Sequence, residues 1–163
     1  MKHLNKEEGG IKILIKDSYL KAIENSIGSR LFKNLYFKSK NPGKKIDALQ
    51  NGNLSCAVFA SWILRNFYLI KNVHSTVKGT IKDLKSSGWR EIKKPKIGAV
   101  LIWEEKNGET GPHKHLGFYM GKNSAISNSS EMKKPVQHHW TFGNKTDKNY
   151  RRVIEIWWHK KLE

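Results

Sequence analysis

The chain has 163 residues, 37% of them hydrophobic and 10% aromatic, a composition that predicts one globular domain and argues against general disorder. Its one cysteine excludes an intramolecular disulfide and a zinc cluster held by several thiolates. The 31 Lys and Arg residues against 14 Asp and Glu give a formal net charge of +17, which favours a polyanionic partner such as nucleic acid, anionic lipid or an acidic cell-wall polymer. An AT-rich genome would produce the same lysine excess, so the charge alone does not identify a partner.

The sequence predicts no membrane span, because no apolar run approaches the roughly 18 residues that a bilayer requires. Near the N-terminus, the apolar segment 11–15 is interrupted by Lys12 and lacks a small-residue cleavage site, so no signal peptide is visible. We therefore expect the protein to stay in the cytoplasm or to leave it by another route.

The first half of the chain has the spacing of helices. Apolar residues recur at helical intervals from Asp17 to about Lys38. A second helix is predicted from about Ser55 to Ile70, and it is apolar over most of its circumference, as in a helix inside a domain. A shorter and more polar third helix is predicted from Thr76 to Ser87, ended by Gly88.

After Pro95 the pattern changes to short apolar strands. Strands are predicted over residues 98–103, 115–120, 124–128 and 153–158, with a turn over 104–112 and a polar loop over 129–150. Helices followed by strands indicate an α+β fold. We predict a single domain over residues 1–163, with a helical half over about 17–90 and a β-sheet half over 96–160.

Cys56 is the first candidate for chemistry, because it begins the second predicted helix. Ser55 or Asn53 is expected to cap this helix. The N–H groups and the dipole at a helix N-terminus stabilise a thiolate and lower a cysteine pKa. The alternative is that Cys56 is a small buried apolar residue, as free cysteines often are.

His115 is the candidate base among seven histidines. It opens a strand in which Leu116, Phe118 and Met120 alternate with His115 and its same-face neighbours. One face therefore belongs to the core, and His115 lies on the other face. Gly117 beside it leaves room for a partner side chain.

Three segments carry a resemblance to a known family. They are Leu54–Val58 (LSCAV), Pro95–Trp103 (PKIGAVLIW) and His115–Gly121 (HLGFYMG). In type and order they resemble the nucleophile helix, the Pro-x-x-Gly strand and the His-Val-Gly-Ile-Tyr strand of the NlpC/P60 and CHAP group of papain-like cysteine peptidases and amidases. The resemblance implies a papain-like fold, with Cys56 as nucleophile and His115 as base. It also implies no cofactor or metal, and hydrolysis of peptide or amide bonds, foremost in bacterial cell-wall peptidoglycan.

The chain departs from the family pattern around these segments. The family often has Asp-Cys-Ser-Gly at the nucleophile and an Asp after the strand glycine, whereas this chain has Ser55, Ala57 and Val58 at the first place and Ala99 at the second. These differences leave the predicted nucleophile and base in place and bear on the subfamily and the substrate.

The resemblance also implies a third residue, on the strand after the base, that orients the imidazole. Asn128 is the best chemical candidate. Strict alternation along the strand favours Ser127 instead, and a bulge at the strand end would bring Asn128 to the His115 face. His138 and His139 are further candidates.

Other functions use the same residues differently. An acyltransferase or a deamidase would need the same Cys56 and His115 pair. A metal site would combine His113 and His115 with His138 and His139. A non-enzymatic binding module for nucleic acid or an anionic polymer would use the positive charge together with the tryptophans.

Overall fold

The computed structural model describes residues 12–40, 43–108 and 111–163. Three α-helices lie in the first half of the chain: α1 over Ile15–Asn25, α2 over Cys56–Asn66 and α3 over Val77–Ser86. No helix in these three ranges combines the length and apolar character needed to cross a bilayer. Of the apolar segment 11–15, Ile11 lies outside the described residues, and Ile15 is the first residue of α1.

The strands form two antiparallel sheets. A two-stranded sheet pairs β1 with β2, and a six-stranded sheet has the order β3-β8-β4-β5-β6-β7. The strands are β1 Tyr36–Lys38, β2 Lys45–Asp47, β3 Arg90–Glu91, β4 Val100–Gly108, β5 Gly111–Gly121, β6 Ser124–Ser129, β7 Lys134–His139 and β8 Val153–Trp158. A short 3-10 helix, Lys160–Leu162, follows β8. The predicted α+β class is confirmed.

The core lies between α2 and one face of the six-stranded sheet. Helix α2 packs on β5 and β6, and its buried Phe59 contacts Phe118 of β5 edge-to-face. Tyr19 of α1 adds a second edge-to-face contact with Phe118. Most of α2 is buried against α1, α3 and the sheet, as predicted, but Trp62 on its outer side is 40% exposed. This packing fixes the start of α2 against the middle of the sheet.

The structure corrects several predicted boundaries. The first helix ends at Asn25 instead of about Lys38, and its last predicted turn is strand β1, paired with β2. The predicted turn over 104–112 is largely strand, because β4 and β5 extend toward each other; residues 109–110 lie outside the described residues. The predicted loop over 129–150 contains strand β7. The third helix agrees with its prediction, with Thr76 as its N-cap.

Candidate active site

Cys56 is the first residue of α2, and its side chain is buried where the helix meets the sheet. Ser55 occupies the N-cap position, but no side chain caps this helix, which corrects the expected capping by Ser55 or Asn53. The Ser55 hydroxyl is fully buried and has no hydrogen-bond partner within the described residues. The first N–H groups of α2 have no acceptor within the helix, so they are available to the sulfur.

The thiol lies where β5 and β6 separate. The pairing of these strands runs from Gly121 and Ser124 to Gly117 and Ser127. At the next residue of β5, the backbone N–H of Leu116 hydrogen-bonds the Cys56 sulfur. The start of α2 therefore lies against β5 where its pairing with β6 ends, and the thiol interacts with the residue directly after His115.

The surroundings of Cys56 have opposing effects on its pKa. Burial has the largest effect and raises the pKa of the thiol. The backbone N–H groups of Leu116, Ala57 and Cys56 lower this pKa, as does the positive charge of Arg151, but they do not cancel the effect of burial. The helix N-terminus alone predicts a lowered pKa, and desolvation overrides it. At neutral pH Cys56 is therefore a thiol that needs a base.

His115 lies on the sheet face opposite Leu116 and Phe118. Its imidazole lies 5.3 Å from the Trp103 ring and 5.8 Å from the Phe142 ring, measured between ring centroids. Its Nε2 is 2.8 Å from the Ser127 hydroxyl. This bond occupies Nε2 and leaves Nδ1 as the second ring nitrogen.

Ser127, and not Asn128, is the neighbour of the His115 ring. Gly117 lies directly opposite Ser127, and a Cβ at position 117 would lie 2.6 Å from the Ser127 Cβ. The space predicted beside Gly117 is therefore occupied by Ser127. Because His115 is two residues from Gly117, it meets Ser127 diagonally across the strand pair.

Asn128 lies on the other face of β6 and does not take the predicted position. Strand β6 pairs with β7 without interruption from Ser124 to Ser129, so no bulge turns Asn128 toward the base. The Asn128 amide instead donates to the backbone oxygen of Gly52 at 2.9 Å, in the segment that precedes Cys56. Asn128 is 3% exposed, and its position indicates a structural role in holding that segment.

Ser127 also contacts His138, whose Nε2 is 2.8 Å from the same hydroxyl. We call this chain of His115, Ser127 and His138 the His–Ser–His bridge. It crosses three adjacent strands, β5, β6 and β7, on one face of the sheet. The His138 ring stacks on Phe142, with centroids 4.0 Å apart and an interplanar angle of 15°. The sequence also makes His138 a candidate, but as a direct partner of the base.

The hydrogen bonds of the bridge assign its protons. His138 Nδ1 is 2.8 Å from the backbone oxygen of His139, which only accepts, so Nδ1 carries a proton. In the neutral ring Nε2 then accepts, so the Ser127 hydroxyl donates to His138. The same oxygen accepts from His115, which places the His115 proton on Nε2. Nδ1 of His115 is thereby left unprotonated.

Burial keeps both histidines neutral. It lowers the pKa of His115 well below the ordinary value, and the positive charges of Arg151, His138 and His113 lower it further. Burial also lowers the pKa of His138, although its bond to the His139 carbonyl opposes this effect. At neutral pH the cavity therefore holds a thiol and a neutral imidazole.

These side chains line one cavity of about 1150 Å³. Its walls include Cys56, His115, Ser127 and His138. A cavity of this size accommodates a small molecule or a short peptide segment.

Arg151 also lines this cavity, and no sequence motif singled it out. Its Nε donates to the backbone oxygen of Glu104 at 2.7 Å, and its Nη2 donates to that of His113 at 2.5 Å. Both oxygens belong to the β4–β5 strand pair, so only the folded sheet brings Arg151 near the thiol.

The metal site and the tryptophan binding surface, which the sequence offered as alternatives, are not assembled in the described residues. In the described parts of the chain, no group of three or more His, Cys, Asp or Glu side chains is arranged to bind a metal. Four of the six tryptophans are at most 6% exposed and belong to the core: Trp89, Trp103, Trp157 and Trp158. A binding surface built on these aromatic rings is therefore not available.

Neither a protein-family model nor, at a significant level, a curated protein matches this chain.

Proposed function

We propose that the chain is a thiol hydrolase that cleaves peptide or amide bonds with Cys56 as nucleophile and His115 as base. The observation that carries this proposal is the His–Ser–His bridge, which leaves His115 Nδ1 unprotonated in the cavity that holds the thiol. A thiol with a raised pKa needs such a base to become nucleophilic.

In the first step, His115 Nδ1 takes the Cys56 proton as the sulfur bonds to the amide carbonyl carbon. The negative charge that develops on the oxygen is stabilised by N–H donors at the start of α2, including that of Cys56. The imidazolium then gives its proton to the leaving amine as the C–N bond breaks, which leaves a thioester on Cys56.

In the second step, His115 removes a proton from water, and the resulting oxygen attacks the thioester carbon. The S–C bond breaks, the proton returns to the sulfur, and a carboxylic acid is released. Throughout, the imidazolium formed at Nδ1 keeps its Nε2 proton on Ser127. Ser127 and His138 thus act as positioning residues.

The arrangement supports the finer assignment of a papain-like fold. A buried helix presents the nucleophile at its N-terminus, and the adjacent antiparallel sheet carries the base. By resemblance to the NlpC/P60 and CHAP group, the proposed substrate is a peptide or amide bond of bacterial cell-wall peptidoglycan. The net charge of +17 favours retention on such an anionic envelope.

The test uses isolated peptidoglycan and its soluble peptide fragments as substrates. We expect the protein to release new carboxyl ends, detected by mass spectrometry, and water labelled with heavy oxygen to label those ends. Cys56→Ala and His115→Ala should each lower the rate by about a thousandfold or more. The unfolding temperature of each variant checks that the fold is retained.

Other products would point elsewhere. Transfer of the acyl group to an added amine, without heavy oxygen in the product, would indicate an acyltransferase. Release of ammonia with the peptide intact would indicate a deamidase. Cleavage that persists in Cys56→Ala, or no turnover and no acyl-thioester with any of these substrates, would contradict the proposal.

A further inference from the structure

Arg151 brings a positive charge into the cavity without an ion-pair partner in the described residues. Its neighbour Arg152 is mostly exposed, and its guanidinium lies 3.3 Å from the Glu104 carboxylate. Arg151 is partly buried, and its two hydrogen bonds go to the neutral backbone oxygens of Glu104 and His113. The Glu104 carboxylate pairs with Arg152 and acts on Arg151 only through its charge, which opposes the lowering of the Arg151 pKa by burial. Buried charges in proteins are normally paired, so a partly buried, unpaired guanidinium in an open cavity is suited to an anionic ligand.

The guanidinium is held in place and still has donors to offer. Of its five N–H groups, the two described bonds use one on Nε and one on Nη2. Two bonds to backbone oxygens of β4 and β5 fix the plane of the group before any ligand arrives. The remaining donors form a planar fork, which matches the two oxygens of a carboxylate.

The position of Arg151 relates it to the reacting bond. It lines the same cavity as Cys56 and His115, and its charge lowers the pKa of both. Three carboxylates share the walls of this cavity: Glu105, Glu131 and Glu155. Three lysines, Lys78, Lys106 and Lys114, line the same walls and balance these charges, so the preference for a carboxylate rests on the planar fork of Arg151.

We propose that Arg151 binds a carboxylate of the substrate beside the bond that Cys56 attacks. The favoured substrates are then peptides or amides with a free carboxylate close to the scissile carbonyl, in preference to the matching neutral amides. This inference rests on the proposed thiol chemistry of Cys56.

The experiment compares two alkylating reagents on the single cysteine. Iodoacetate carries a carboxylate, and iodoacetamide is its neutral counterpart. The ratio of their rates with Cys56 is measured by intact mass at mildly alkaline pH, in the native protein and in the protein unfolded by urea. We expect the iodoacetate-to-iodoacetamide ratio to be about tenfold higher in the native protein, the lower range for a charge-assisted hydrogen bond.

Two variants remove the same charge from adjacent positions. Arg151→Gln should return the native ratio to the unfolded value, whereas Arg152→Gln should keep it, which separates a local contact from the general field of the +17 chain. The wild-type comparison stands even if Arg151→Gln does not fold.

The outcomes separate this inference from the proposed function. A native ratio equal to or below the unfolded one, with iodoacetamide still reacting, would overturn the role of Arg151 and leave the thiol site standing. An equal loss of the ratio in both variants would also overturn it. If native Cys56 reacted with neither reagent, both proposals would fail, because an inaccessible thiol cannot attack an amide.

Discussion

Ser127 and Asn128 are neighbours on β6 whose side chains lie on opposite faces of the sheet. Ser127 joins His115 to His138, whereas Asn128 holds the segment at Gly52. We expect Ser127→Ala to lower kcat by about 10- to 100-fold, because it removes the oxygen that orients the base. Steady-state kinetics on a small amide substrate, with the unfolding free energy as a check on the fold, measure this effect.

Asn128→Ala serves as the matched variant. It removes a buried hydrogen bond to Gly52 and should lower the unfolding free energy by about 1–3 kcal/mol, with kcat per folded molecule close to wild type. Urea unfolding and kinetics on the same preparations distinguish the two roles. A large drop in kcat for Asn128→Ala with unchanged stability would return the orienting role to Asn128.

The pH dependence follows from the lowered pKa of His115. A lowered pKa means that the base stays unprotonated to more acidic pH than an ordinary histidine, whose pKa is about 6.5. We therefore expect kcat/KM to stay on its plateau as pH falls through 6.5 and to decline only below it. Protonation of His138 reverses the direction of its hydrogen bond with Ser127, because Nε2 then donates. This reversal makes the fall in kcat/KM steeper.

Alkylation of Cys56 gives the complementary profile. Because burial raises the thiol pKa, the iodoacetamide rate should keep increasing into the alkaline range. A rate already at its maximum at pH 6 would mean that the resting pair is a thiolate and an imidazolium, contrary to the neutral pair described above.

At the scale of single residues, the sequence predicted which residues belong to the site better than which of them hydrogen-bond to each other. Cys56 and His115 could be selected from their places at the predicted starts of a helix and a strand, and the structure brings both to one cavity, although β5 begins at Gly111. The choice between Ser127 and Asn128 depended on whether β6 contains a bulge, which no sequence pattern decided. Arg151 could not be found at all, because its partners are backbone oxygens of a different part of the sheet.

Two buried serines, Ser61 within α2 and Ser55 at its N-cap position, differ in their hydrogen bonds. Ser61 donates to the Ala57 oxygen at 2.6 Å and accepts from the His74 N–H at 2.8 Å, whereas the Ser55 hydroxyl is unpaired. Ser61→Ala should lower the unfolding free energy by about 1–3 kcal/mol, because it leaves the His74 N–H without its partner. Ser55→Ala should leave stability unchanged or raise it, because it removes an unsatisfied polar group.

Urea unfolding of both variants checks this prediction. Equal losses of stability would show that the Ser55 hydroxyl contributes as much as that of Ser61. Activity is a useful second readout, since Ser55 precedes the nucleophile and Ser61 lies more than one turn away.

The errors at the scale of elements have physical causes. Strand β7 was not predicted, because Lys134, Pro135 and the two histidines lack the apolar alternation of a half-buried strand. Pro135 is compatible with this strand because β7 lies at the sheet edge. The first helix was extended too far because Ile27 and Leu31 continue its spacing, yet they are 44% and 62% exposed. Periodicity does not reveal whether an apolar side chain finds a core.

The net charge of the whole molecule leads to a prediction about salt. If the lysines recruit a polyanionic substrate, activity on the polymer should fall steeply between about 50 and 200 mM salt. Added salt screens the charges and reduces the free energy gained by releasing counterions. Turnover of a small neutral amide should hardly change, because the acyl-transfer step acts at short range in a partly desolvated cavity. Both rates are measured on one preparation. Equal salt tolerance would mean that the charge has no part in recruitment.

The His–Ser–His bridge ends on β7, the edge strand of the six-stranded sheet. One side of β7 pairs with β6, and its outer side receives a hydrogen bond from the Gly28 N–H at Pro135. Edge strands open by local fluctuations that cost less free energy than global unfolding. Each opening of β7 would separate His138 from Ser127 and release the preferred proton position on His115, while the core around α2 stayed closed. Amide hydrogen exchange should therefore be faster in β7 than in β5. The free energy of this local opening would then set the fraction of folded molecules in which His115 is ready to act as a base.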